Sequence, residues 1–316
     1  MGLKIPPAEL VPYGLRAMKT VAMADGRFEQ IERRMMAAAQ QALGTDLDID
    51  ALGPITPEEL ATAITDAGLR NQIAHGLVIL SMADEEPSKA ESALVSQFAR
   101  ALGVTGDIAN LEKLAAGHSM LVRFDLARRV WVRDKVAVKL REEGLGWLVR
   151  AAATLASIRE DTKLAERYRA LAKLPSGTLG RSYFEFIRKN QFSLPGEKGS
   201  PPEPIVFHDM THVLTGYDTT PRGEMQIAFF HAGSKRVDPF FFAFFALLQF
   251  HLGFRSTPVA KGEHGHFVPE ETMVALKRGG ASTIDPLDGW DPWEAIETPV
   301  DELRDRYRIG PPPPWA

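Results

Sequence analysis

Phe207-His208-Asp209-Met210-Thr211-His212-Val213-Leu214-Thr215-Gly216 reads as one short helix with a stop. His208 and His212 stand four residues apart, the spacing that puts two side chains on one helical face. Gly216 follows as the residue type favoured just past a helix end. Two imidazoles on one face are able to converge on a metal ion, as they do in helical zinc sites. Asp209 departs from the zincin His-Glu-x-x-His pattern. It is shorter than glutamate and less able to reach round as a general base, so it reads either as a ligand or as the partner of one. Eleven residues separate His212 from Glu224, which opens a further helical pattern at Arg222-Gly223-Glu224-Met225-Gln226 and is able to return a carboxylate to the same ion. Two histidines and two carboxylates suit zinc, iron(II) or manganese better than calcium or magnesium. Packing or surface histidines also produce a His-x-x-x-His pair, so spacing by itself leaves that reading open.

Upstream, the chain repeats itself. Met23-Ala24-Asp25 recurs as Met82-Ala83-Asp84, Glu32 as Glu91, and Ala42-Leu43-Gly44 as Ala101-Leu102-Gly103, all at an offset of 59 residues. Each copy reads as an apolar helix, a short acidic turn, and a second helix that ends at the glycine. Val104-Thr105-Gly106 then reads as a linker, and residues 107–172 contain good helix formers with few breakers. Within them, basic residues from Arg123 to Arg141 interleave with Phe124, Leu126, Val130, Trp131, Val136 and Leu140. This is a basic amphipathic pattern that fits either a solvated domain face or an anionic membrane surface. Residues 190–204, with four prolines and two glycines, read as a surface loop.

Composition bounds the chemistry. No cysteine occurs in the 316 residues, so thiolate ligands, disulfides and a cysteine nucleophile are excluded, and any metal is held by nitrogen and oxygen. Charge is uneven: −5 over residues 1–105, +7 over 106–200 and −6 over 201–316. Nine of the seventeen phenylalanines fall in residues 229–254, densest at Phe240-Phe241-Phe242-Ala243-Phe244-Phe245. That run is too short for a membrane-spanning helix, which needs about twenty apolar residues. It reads as a buried core helix or dimer interface, with a cavity for a prenyl chain as the alternative. Gly262-Glu263-His264-Gly265-His266 reads as a surface loop, and His231 and His251 as core histidines. The first residues lack a signal-peptide pattern, so a cytoplasmic protein is expected, peripheral on the inner face of the membrane if the basic stretch meets lipid.

Two resemblances emerge from these residues. An Ala-Asp-Gly turn followed by glutamate (Asp25, Gly26, Glu32) resembles the tellurite-resistance TerB family over residues 10–104. The second copy departs from it, with Glu85 in place of the glycine. The resemblance suggests cation binding by Asp25 and Asp84, while helix N-capping is the plainer role for both. His208-Asp209-x-x-His212 with Glu224 resembles the metal motif of the coenzyme Q biosynthesis protein four family. Leu174-Pro175-Ser176-Gly177-Thr178-Leu179-Gly180-Arg181-Ser182-Tyr183 is similar to that family's segment ahead of the site, and Trp293-Glu294, Leu303-Arg304 and Ile309 to its C-terminal end. The similarity covers about residues 165–310.

These resemblances imply an all-α protein: a small TerB-like bundle with a pseudo-twofold repeat over residues 1–105, then a larger helical metal-binding domain over 106–316. They imply ubiquinone biosynthesis, with zinc as the expected metal, held by His208, Asp209, His212 and Glu224. The implied reaction removes the carboxyl group of a polyprenylated benzoate ring and hydroxylates the same carbon. The expected partners are the prenylated quinone precursor or another lipid, an anionic membrane surface, other quinone-biosynthesis proteins and a second copy of the chain; no nucleic acid is expected. Two further readings remain: a non-catalytic lipid-binding organiser with a structural metal, and a metal-dependent phosphohydrolase. The latter would need additional ligands, for which His75 and His118 have no recognisable flanking motif.

Overall fold

The computed structural model describes residues 3–85, 88–105, 107–116, 160–235, 238–255 and 261–316, together with Val122, Ala152 and Thr154. The basic stretch 123–141 and His118 lie outside the described residues. Among the described residues the protein is all-helical: thirteen α-helices, short 3₁₀ turns, and isolated β-bridges but no strand. None of these helices is long and apolar enough to cross a membrane. The chain divides into two compact units, Met1–Arg128 with Thr220–Ala281 and Arg129–Thr219 with Ser282–Ala316.

In the first unit, α1 (Val11–Ala22) and α2 (Gln30–Leu43) flank the turn that carries Asp25. After α3 (Pro57–Ala63), α4 (Ala67–Leu80) and α5 (Lys89–Leu102) flank the turn that carries Asp84. α2 and α5 begin in the same way: Glu29 and Ser88 cap them, and Glu32 and Glu91, three residues on, reach back to the cap backbone. These reciprocal bonds satisfy N–H groups that a helix start leaves open. Asp25 has a local role, accepting from the Arg27 N–H at 2.8 Å and shaping the turn, so the cap of α2 falls to Glu29. Both helices end at a glycine with left-handed backbone, Gly44 and Gly103, a conformation that disfavours a Cβ. Val11, Leu15 and Met36 form a core with Phe28, Leu43 and Leu52 against it. α6 (Asp107–Ala115) packs on α4 and α5.

The same unit holds α10 (Pro221–Ser234), α11 (Phe240–Phe250) and α12 (Pro269–Ala281). α10 and α12 cross with their backbones nearly touching. A Cβ on Gly233 would stand 2.1 Å from the Leu276 oxygen, and one on Gly279 would stand 2.0 Å from the Phe230 oxygen. Larger residues would force the crossing apart. Arg222 and Gln226 of α10 both bind the buried Glu271 of α12. The phenylalanine run is α11, and Phe240, Phe241, Phe242 and Phe244 are buried. Each contributes about 1.5–3 kcal/mol from apolar burial. Phe240 also stacks on His75 of α4 with ring centroids 4.8 Å apart. His251 is a satisfied core histidine, its Nε2 2.8 Å from the Ala83 oxygen. His264 is exposed and lies 3.5 Å from Glu85.

The second unit is built around α7 (Thr162–Arg169), α8 (Leu179–Lys189), α9 (Val206–Thr215) and α13 (Val300–Arg306). The first N–H groups of α8 find backbone partners in the C-terminal segment: Leu179 donates to Thr298 O at 2.9 Å and Gly180 to Ile296 O at 2.8 Å. A Cβ on Gly180 would collide with Leu174 and Ile296. The guanidinium of Arg167 lies 3.6 Å over the Trp293 ring. Residues 190–202 form a loop with Gln191, Phe192, Lys198 and Gly199 exposed, anchored by the fully buried Leu194 and Ser200 and by the Gly196 oxygen, which accepts from Asp161 N.

Candidate metal centre

α9 carries the two histidines because its ends are fixed. At its C-terminus Gly216 adopts φ 85° and returns its N–H to His212 O at 2.8 Å. Pro312 fills the space where a Cβ would sit, only 2.6 Å from the Pro312 Cβ, so conformation and packing both select glycine. Arg304 of α13 closes the same end, donating from Nε to Leu214 O at 2.8 Å and from Nη2 to Val213 O at 3.2 Å. These are carbonyls that the last helical turn leaves open, and a cation there also meets the negative end of the helix dipole.

On the face this creates, the His208 and His212 rings lie 4.9 Å apart, and Phe186 of α8 stacks on His212 at 5.5 Å. His212 is 2% exposed, whereas His208 and Glu224 are half-buried. The Nδ1 of His212 lies 3.0 Å from the Tyr217 carbonyl oxygen. A carbonyl oxygen only accepts, so Nδ1 carries the proton and the lone pair resides on Nε2. Histidine ligands to metals are commonly fixed in this way.

Glu224 enters from the first turn of the next helix in sequence. Thr220 caps α10, its side chain accepting from Gly223 N at 3.2 Å, and Pro221 starts the first turn. His208, His212 and Glu224 are each able to offer a ligand atom to a metal ion. The group is able to hold a metal ion. Two nitrogens and one carboxylate, with no sulfur, match the donor chemistry of zinc, iron(II) or manganese.

Asp209 is not part of this group. Its Oδ1 lies 3.5 Å from His208 Nδ1, at the outer limit of a hydrogen bond.

Two tyrosines extend the surroundings. Tyr168 donates its hydroxyl to Glu203 Oε1 at 3.1 Å, just ahead of α9. The Tyr183 hydroxyl is buried and has no hydrogen-bond partner among the described residues. Burial first, then the charges of Asp209 and Glu203, pushes its pKa well above the ordinary tyrosine value, so it stays a proton-bearing donor. Sequence reasoning singles out the segment that ends at Tyr183 but gives the hydroxyl no role. The carbonyl of Tyr217 has no sequence signal at all, since any residue supplies one. Comparison with protein-family models, curated proteins and solved structures gives no match to this chain.

Proposed function

We propose that this chain acts in ubiquinone biosynthesis, as a metal-dependent enzyme that releases the carboxyl group of a polyprenylated benzoate ring as carbon dioxide and hydroxylates the same carbon, with dioxygen as the two-electron oxidant. The observation that carries this reading is the grouping of His208, His212 and Glu224, three of the four residues that the coenzyme Q biosynthesis resemblance names as ligands. Zinc is the proposed metal. A bound divalent ion supplies Lewis acidity for the ring's carboxylate or phenolate and stabilises the negative charge that develops as the carboxyl group leaves.

With three protein ligands, a four-coordinate ion keeps one position for substrate, whereas a fourth ligand would close it. This favours the enzyme over the organiser with a structural metal and gives Asp209 an orienting role. Phe186 holds the His212 ring flat, and the Tyr217 carbonyl keeps Nε2 as its donor atom. The Tyr183 hydroxyl is a hydrogen-bond donor for an anionic oxygen of the substrate. In this reading the protein works at the inner face of the membrane, where a prenylated precursor resides, with the basic residues 123–141 as its contact. Residues 1–105 serve contacts with other proteins of the pathway.

The test is turnover of a synthetic prenylated hydroxybenzoate by metal-loaded protein under air, with product mass measured. A product in which hydroxyl has replaced carboxyl supports the proposal. Unchanged substrate that nonetheless co-elutes with the protein favours the organiser.

A further inference from the structure

The first unit contains a cavity of about 300 Å³ that is partly open to solvent. That volume is at the lower end of the range for small-molecule sites, roughly 300–1,000 Å³. α1, α2, α4, the start of α11, the end of α12 and the N-terminal residues 3–6 form its wall. The wall is overwhelmingly aliphatic, with Leu15, Met35, Ile73, Ile79 and Met273 among its residues. Its polar side chains are Lys4, Gln72 and Lys277. The first two are engaged: Lys4 N donates to Gln72 Oε1, Gln72 Nε2 donates to Lys4 O, both at 2.9 Å, and Lys4 Nζ pairs with Asp66. Lys277 is exposed at the rim and has no ion pair among the described residues.

Two glycines inside helices mark the same space. Glycine is a poor helix former, and within a helix it usually signals a close approach, as at Gly233 and Gly279. Gly14 of α1 and Gly76 of α4 line the cavity without that reason. A Cβ at Gly76 would meet nothing within 4 Å, and one at Gly14 would meet only Ile73, at 3.9 Å. Both positions have room for a side chain and carry none, which widens the cavity. An apolar occupant would remove this apolar surface from water, which is favourable in proportion to the area covered.

We propose that this cavity binds one long-chain fatty acid, with the alkyl chain among the helices and the carboxylate at Lys277. At the roughly 30 Å³ that a water-sized group occupies, it accommodates on the order of ten methylenes. The remainder of the chain and its head extend to the open rim. The site uses none of the proposed metal ligands and does not depend on the metal reading.

The full chain is titrated with the fluorescent fatty acid 11-(dansylamino)undecanoic acid, with palmitate and hexadecanol as competitors. Saturable binding near one probe per chain is expected, with palmitate displacing the probe at least tenfold better than the uncharged alcohol. Lys277→Glu should erase that preference. Gly76→Leu should weaken probe binding at least tenfold while the thermal midpoint is retained or raised. Should Gly76→Leu fail to fold, Gly76→Ala carries the same test, with a raised midpoint and severalfold weaker binding. Absence of saturable binding, undiminished binding by a folded Gly76 variant, or equal displacement by palmitate and hexadecanol would overturn the proposal.

Discussion

The Nδ1 of His212 faces the carbonyl oxygen of Tyr217 at 3.0 Å, across the turn that ends its own helix. This contact fixes which nitrogen of a buried imidazole is a lone-pair donor, so the metal centre depends on how α9 terminates as much as on the residues it displays. Gly216, Pro312 and Arg304 all act on that termination.

Arg304 is accordingly expected to matter for stability. Arg304→Ala removes a charge-assisted bond to Leu214 O and a longer one to Val213 O, and should destabilise the protein by about 1–2 kcal/mol. Chemical denaturation measures this, and Arg304→Lys should restore only part of the loss, because a single ammonium does not span both carbonyls as the guanidinium fork does.

Asp209 separates two versions of the site. As an orienting partner of His208 at 3.5 Å, its replacement by asparagine should lower metal affinity by roughly 10- to 100-fold and leave the stoichiometry unchanged. Complete loss of binding in Asp209→Asn, read by equilibrium dialysis, would instead make it a ligand.

At the crossing of α10 and α12, Gly279→Ala places a methyl group 2.0 Å from the Phe230 oxygen. Backbone atoms yield less readily than side chains, so the cost should reach about 3 kcal/mol, the upper end for overpacking. Gly76→Ala, in an open position, should move the thermal midpoint the other way.

Glu32 and Glu91 meet as a buried carboxyl pair, 2% and 1% exposed. Burial is the main cause that pushes Glu32 from 4.5 up to about 8, with Glu91 and Asp84 adding to it and the Glu29 N–H opposing it. The folded state therefore holds a proton that the unfolded chain gives up more readily. That stabilisation is fully present below about pH 4.5 and is lost as pH rises toward 8. Glu32→Gln keeps an oxygen for Glu29 N and supplies a donor to Glu91. Its thermal midpoint should exceed that of the wild type by several degrees at pH 8.5 and match it near pH 5. Equal midpoints at both pH values would contradict the shared proton.

Much of the centre is legible in the amino-acid sequence. A four-residue histidine spacing declares a shared face only if the segment is helical, and Gly216 declares where the helix stops. Glu224 is readable because a capped start, Thr220-Pro221, places it one turn inside the following helix. The phenylalanine run is readable as a buried helix, since eleven residues are too few to span a bilayer. Other features leave no local trace. The Tyr217 carbonyl belongs to the backbone, and Arg304 reaches α9 from ninety residues away. Residues 190–202 have loop composition and form a loop, but its anchor, the Gly196 oxygen accepting from Asp161 N, is a backbone contact that sequence patterning does not reveal. Residue type points to Asp25 as the cap of α2, and only the geometry of the turn assigns the role to Glu29.

The most direct test is competitive zinc titration of the purified chain against a chromogenic chelator, with His212→Ala in parallel. The account predicts one zinc per wild-type chain, and at least 100-fold weaker binding in a His212→Ala protein that still unfolds cooperatively. Absence of zinc binding by the wild type, or equal affinity in the two proteins, would contradict a metal centre at His208, His212 and Glu224.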